Sequence, residues 1–147
     1  LSFGLLSTGF DEMKGIQIGG ITGASLFASR SFLSLTDLKG VQIGGINVAN
    51  KSWSQCGVWN YVRKNDSCVQ IGVLNECGEE GGGIQVGVWN SFKTKRHSFP
   101  RDDSTVQLGL INVLPKGTSH ENKSTLQIGL LNRTRSGWWL PISNFGL

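Results

Sequence analysis

At 147 residues, with a formal net charge of +4, the chain has the size of one domain and no room for two large cores. Three cysteines are too few for a disulfide scaffold, no apolar run approaches the ~18 residues of a membrane-spanning helix, and no Lys/Arg run is dense enough for a nucleic-acid surface. The 21 glycines follow no three-residue period, which excludes a collagen-like chain.

The chain opens on Leu1-Ser-Phe-Gly-Leu-Leu-Ser7, without an initiator Met, as expected after removal of a signal peptide or in a fragment. The same seven-residue pattern returns as Ile16-Gln-Ile-Gly-Gly-Ile-Thr22, Val41-Gln-Ile-Gly-Gly-Ile-Asn47 and Ser54-Gln-Cys-Gly-Val-Trp-Asn60. It continues as Val69-Gln-Ile-Gly-Val-Leu-Asn75, Ile84-Gln-Val-Gly-Val-Trp-Asn90, Val106-Gln-Leu-Gly-Leu-Ile-Asn112 and Leu126-Gln-Ile-Gly-Leu-Leu-Asn132. Labelled a to g, position b is Gln17, Gln42, Gln55, Gln70, Gln85, Gln107 or Gln127. Position d is always glycine, and g is Asn47, Asn60, Asn75, Asn90, Asn112 or Asn132 in six of the eight copies.

From a to e the letters alternate, apolar then polar or small, which predicts a strand with a, c and e on one face. Both e and f are apolar, so a bend near e/f is expected, with a, c, e and f filling a core and glycine at d permitting the bend or a close stack. Cys56 stands at c and is therefore expected as a buried thiol.

Between copies lie polar returns of variable length. The shortest is Val48 to Trp53, and a seven-residue strand of ~23 Å can just be covered by six to eight extended residues. The stretch 23–40 is the longest gap, with apolar runs at 25–28 and 31–35 that suggest a degenerate coil. Glu76 to Gly83, Ser91 to Thr105 and Val113 to Thr125 carry loop chemistry. The end, 133–147, abandons the repeat for an aromatic, proline-containing tail suited to capping a stack.

The expected architecture is all-β: one domain forming a short parallel β-solenoid of about eight coils of 13–25 residues, closed by a C-terminal cap. Parallel stacking sets Gln over Gln and Asn over Asn, so amide ladders explain why those letters recur. The alternative is an antiparallel β-meander or barrel, including an outer-membrane barrel. The repeats from Leu1 to Asn132, with the ending Trp138-Trp-Leu-Pro-Ile-Ser-Asn-Phe145, resemble the tandem Val-Gln-Ile-Gly-x-x-Asn units of a leptospiral-type bacterial surface-repeat family. The resemblance implies an exported or envelope-associated protein and carries over no catalytic residue.

Chemistry-bearing constellations are sparse. His97 and His120 stand in variable loops without a partner at metal spacing, Gly81 to Gly83 is not followed by Lys-Ser/Thr, and Glu79-Glu80 and Asp102-Asp103 read as solvated pairs. No cofactor, metal or enzymatic activity is expected. Trp59 and Trp89 at f, with Leu74 between them, are expected as a core column or, alternatively, as an exposed aromatic stripe. With Trp53, Tyr61, Lys93, Lys95 and Arg96 they make the candidate binding surface. Cys68 and Cys77 bracket one repeat and form a candidate disulfide, and Asn50, Asn65, Asn122 and Asn132 head glycosylation sequons. The basic returns suggest either a solvated face or an edge for anionic glycans or lipid head groups. The expected role is a non-enzymatic structural or interaction protein of the cell surface, secreted or in the envelope, with protein partners or self-assembly; a carrier or outer-membrane barrel and an anionic-glycan module are the alternatives.

Overall fold

From Ile16 onward each copy of the repeat lies inside a strand, and successive strands pair in parallel with like letters opposite one another. In the computed structural model, residues 2–7, 12–22, 24–25, 34–35, 37–64, 67–79, 82–93, 104–115 and 124–146 are described. The strands are β1 (Ser2–Ser7), β2 (Glu12–Thr22), β3 (Ala24–Ser25), β4 (Ser34–Leu35), β5 (Asp37–Ala49), β6 (Ser54–Lys64), β7 (Ser67–Glu79), β8 (Gly82–Phe92), β9 (Thr105–Val113), β10 (Thr125–Arg133) and β11 (Trp139–Gly146). One nine-stranded sheet runs β1-β2-β5-β6-β7-β8-β9-β10-β11 without closing. Its first eight strands are mutually parallel and in register, Gln42 opposite Gln55, Gly44 opposite Gly57 and Asn47 opposite Asn60, and so on along the stack. The protein is thus all-β, a short solenoid-like stack, and the antiparallel meander or barrel is not adopted.

Chain lengths require these strands to be folded rather than straight. An extended 11-residue strand such as β6 spans ~36 Å, yet only residues 65 and 66 connect Lys64 to Ser67 at the start of its parallel neighbour. Two residues reach ~11 Å, so the end of β6 lies beside its own beginning. The same holds between Glu79 and Gly82. Pairing skips position e in successive strands, with Gly44–Gly57 followed by Ile46–Trp59 and Gly57–Gly72 by Trp59–Leu74. The bend falls there, and each coil is an arch of two arms.

The arms are tied together by the recurring amides. Gln55 donates from Nε2 to Gln42 Oε1 at 2.6 Å and to the carbonyl of Tyr61, six residues on in its own coil, at 3.2 Å. Gln70 and Gln85 do the same with Gln55 and Glu76, and with Gln70 and Ser91. Asn60 donates from Nδ2 to Asn75 Oδ1 at 2.8 Å and to the carbonyl of Ile71 at 2.9 Å, which stands at c of the next coil. Asn47, Asn75, Asn90 and Asn112 repeat that pattern. Gln rungs donate toward the preceding coil and Asn rungs toward the following one. All these amides are buried.

This reverses the expected core. Positions a, c, e and f do not fill the interior; they face outward, with Ile43, Ile71, Val58, Leu110, Leu130 and Leu131 each more than two-fifths exposed. Cys56, expected buried at c, is exposed with them. The physical reason lies in the backbone. Carbonyls of c and of the residue after g point into the arch, and an apolar filling would leave them buried without donors. Side-chain amides supply those donors and bond to their own kind along the stack. The buried apolar residues lie instead at the arm ends: Ala49, Val62, Cys77, Phe92 and Leu114, two positions after g in successive coils, with Cys68 just before position a.

Glycine at d follows from the same closeness. A Cβ on Gly72 would stand 2.0 Å from the Gly57 carbonyl oxygen and 2.6 Å from Asn60 Nδ2.

At the C-terminal end, β11 pairs antiparallel with β10. Asn144 lies opposite Gln127 and donates to its Oε1 at 2.8 Å, ending the Gln ladder. With no further coil to bond, Asn132 turns Nδ2 to the Gly129 carbonyl at 3.1 Å. At the other end Thr22 donates its hydroxyl to Asn47 Oδ1. Between β2 and β5, β3 and β4 pair antiparallel apart from the main sheet. The apolar runs expected to be buried there fall mostly on 26–33, outside the described residues.

Candidate functional site

The outward side chains form rows along the stack. At f, Ile46, Trp59, Leu74, Trp89 and Ile111 are successive register partners. At e, Val58, Val73, Val88, Leu110 and Leu130 are all more than two-fifths exposed. No charged residue occupies a, c, e or f in any copy. From β6 to β10 the apolar surface therefore runs uninterrupted over the bend, and Ile142 and Phe145 on β11, both about three-quarters exposed, continue its apolar character to the end of the sheet. An apolar face of this extent is far larger than scattered exposed hydrophobes on a soluble surface.

Charges collect at the arm ends. Lys14 and Lys39 are exposed register partners just before a, and Lys51, Arg63 and Lys93 are exposed in the returns. Lys93 pairs with Glu76, whose hydrogen bond and charge hold the ammonium above the ordinary lysine range against a smaller opposing effect of burial. Lys14, Lys39, Lys51 and Arg63 thus stand at the arm ends away from the bend, with the acidic Asp37 among them, whereas Lys93 and Glu76 lie beside the Trp59–Trp89 row.

Of the candidate binding residues, the structure brings together Trp59, Trp89, Tyr61 and Lys93. Trp59, Leu74, Glu76, Trp89 and Ser91 line a shallow depression of about 250 Å³. Tyr61 lies opposite Glu76 in the sheet. Trp59 and Trp89 are both 43% exposed, so they form the outer stripe and not the core column. Trp53, 65% exposed, begins the other arm, before Ser54, and does not join this group. Lys95 and Arg96 lie outside the described residues, as do His97, His120, Glu80, Gly81, Asp102, Asp103, Asn65 and Asn122. Asn132 is a fully buried ladder rung and cannot present its amide for glycosylation, while Asn50 donates to Asp37. Among the described residues no group of three or more His, Cys, Asp or Glu side chains converges to hold a metal.

Cys68 and Cys77 lie in one coil as buried thiols that are not joined in a disulfide. Burial and then the neighbouring Cys77 push the Cys68 thiol up to about 12, so it remains protonated and unreactive at neutral pH. An aromatic disulfide reagent should therefore titrate one thiol, Cys56, rapidly in the native protein and three after denaturation. Recovery of a single thiol in denaturant would show that Cys68 and Cys77 are joined.

The outward rows were legible in one signal. Position f varies between Ile, Trp and Leu, a wide range of volumes, whereas b and d admit a single residue type from Gly19 onward and g nearly so. A close-packed interior tolerates little change of volume, so the varied letters mark the outside and the fixed ones the inside. Scans against protein families, curated proteins and solved structures find no match to this chain.

Proposed function

We propose that the chain is a non-enzymatic structural and interaction module of a bacterial cell surface or envelope, a β-solenoid that works by setting its outer face against a partner. The observation that carries this reading is the inverted polarity of the coil. Glutamine and asparagine fill the inside, and the apolar letters of the repeat stand outside. The ladders hold the arms and keep the outer rows in register from β2 to β10. The resemblance of the repeats to a bacterial surface-repeat family supports the placement at the envelope.

The test is made with the purified chain, first in detergent-free solution and then with detergent added. An apolar fluorescent dye of the anilinonaphthalene type should light up, and sedimentation should show uptake of detergent micelles or self-association. A monodisperse 15.9 kDa species that binds neither dye nor detergent would overturn the reading.

A further inference from the structure

We infer that the occupant of the outer face is a lipid surface with anionic head groups, into which the bends of the coils insert while the stack lies in the membrane plane. This rests on the interaction reading above and names its partner.

Three observations converge on lipid. The first is shape. Gln55 reaches across its coil to the carbonyl of Tyr61, so b and g line the concave side and the apolar rows lie on the convex one. A convex ridge meets a second convex ridge only along a line, whereas acyl chains conform to it. The second is charge. A second copy docked by the same face would bring two chains of net charge +4 together, while anionic head groups meet the same cations favourably.

The third is the distance between the two chemistries. Position e lies six residues from the lysines at Lys14 and Lys39, about 20 Å of strand. Interfacial elements bury their apolar side about 5–10 Å below the head-group boundary. Insertion of the bend to that depth leaves the lysines about 10–15 Å above the head groups, one to two Debye lengths, so their attraction to anionic lipid is modest and should strengthen as salt is lowered. Trp59 and Trp89 at f stand on the ridge, the residue type that favours the membrane interface. Along the arms the backbone is paired with neighbouring strands, and only position e at the bend lies outside the pairing, so the inserted ridge carries backbone groups close enough to the head-group boundary to be hydrated.

The experiment is vesicle flotation of the full chain on phosphatidylcholine alone and on a phosphatidylcholine–phosphatidylglycerol mixture, with tryptophan emission followed in parallel. The chain should float with the mixed vesicles, more weakly with phosphatidylcholine. Emission should shift to the blue and be quenched by lipids brominated on the acyl chain. Val88→Asp and Leu110→Asp, at exposed positions on the ridge, should reduce vesicle binding at least about tenfold with an unchanged β circular dichroism spectrum. Leu110→Asn is the neutral counterpart should an aspartate variant fail to fold, and it should also weaken binding. Lys39→Glu should lower binding to the mixed vesicles and leave binding to phosphatidylcholine alone unchanged. A folded chain that binds dye and detergent but floats with neither vesicle would overturn the lipid assignment and leave the interaction reading standing. A dimer abolished by Leu110→Asp, without flotation, would overturn it in favour of a second copy. Loss of dye and detergent binding together would remove both.

Discussion

Gln70→Leu is expected to lower stability by about 4 kcal/mol, although it places a hydrophobic residue of similar length at a fully buried site. The leucine removes the donor to Gln55 Oε1, the donor to the Glu76 carbonyl and the acceptor for Gln85 Nε2. Each orphaned buried group costs about 1–3 kcal/mol, partly relieved where a second partner remains, as the Ser91 carbonyl does for Gln85. Against a total stability of roughly 5–15 kcal/mol this brings the domain near its unfolding limit. The midpoint of thermal unfolding should fall by about 10 °C. Ile71→Ser, one residue along the same strand but 48% exposed, should stay within about 0.5 kcal/mol of the parent. Chemical denaturation of the two variants decides between the inverted coil and an ordinary apolar core, because an apolar core requires the opposite order.

The same site gives a pH signature. In Gln70→Glu the buried carboxyl is held neutral while the unfolded chain ionises above about pH 4.3. The folded state then binds more protons, so stability falls as pH rises, by about 1.4 kcal/mol per unit until the folded carboxyl itself ionises. Near pH 3 the neutral carboxyl replaces one of the two donors of Gln70, so Gln70→Glu should lie about 1–3 kcal/mol below the parent there and be much weaker at pH 7; a flat profile would place position 70 in water.

Gly72→Ala should be comparably damaging for a different reason, with a loss of about 3 kcal/mol or more. Its new methyl would lie 2.0 Å from the Gly57 oxygen, which is rigid backbone, so the coils must separate. Separation lengthens the Asn60 to Asn75 rung as well. Gly137→Ala provides the contrast. Nothing stands within 4 Å of its Cβ, and the cost there comes from φ +91 alone, about 1 kcal/mol. If the two variants unfold at the same denaturant concentration, close stacking is not what holds glycine at d.

The sequence carried the repeat length, the strand and the parallel register in plain view. Gln17 to Gln127 recur at b because like letters must meet, and the structure stacks them so. The side on which those letters lie was less visible. Ile43, Ile71 and Ile128 alternate with polar residues as a buried face does, and alternation alone does not say which set faces in. That choice was made by the inward carbonyls of a bent backbone, such as those of Tyr61 and Ile71, and by the narrow gap between two arms. Neither is written in hydropathy. The arm-end column of Val62, Cys77, Phe92 and Leu114 was equally obscure, because it falls outside the seven-residue unit and shares no letter.

The opposed directions of the two ladders have an electrical consequence. A row of aligned amides accumulates a dipole with every added unit, as the peptide groups of an α-helix do. Here the glutamine row points one way along the stack and the asparagine row, in the same arch, points the other. Their moments oppose coil by coil, so lengthening the rod builds no growing charge separation between its ends. Such a rod can gain or lose whole coils without a penalty that scales with its length.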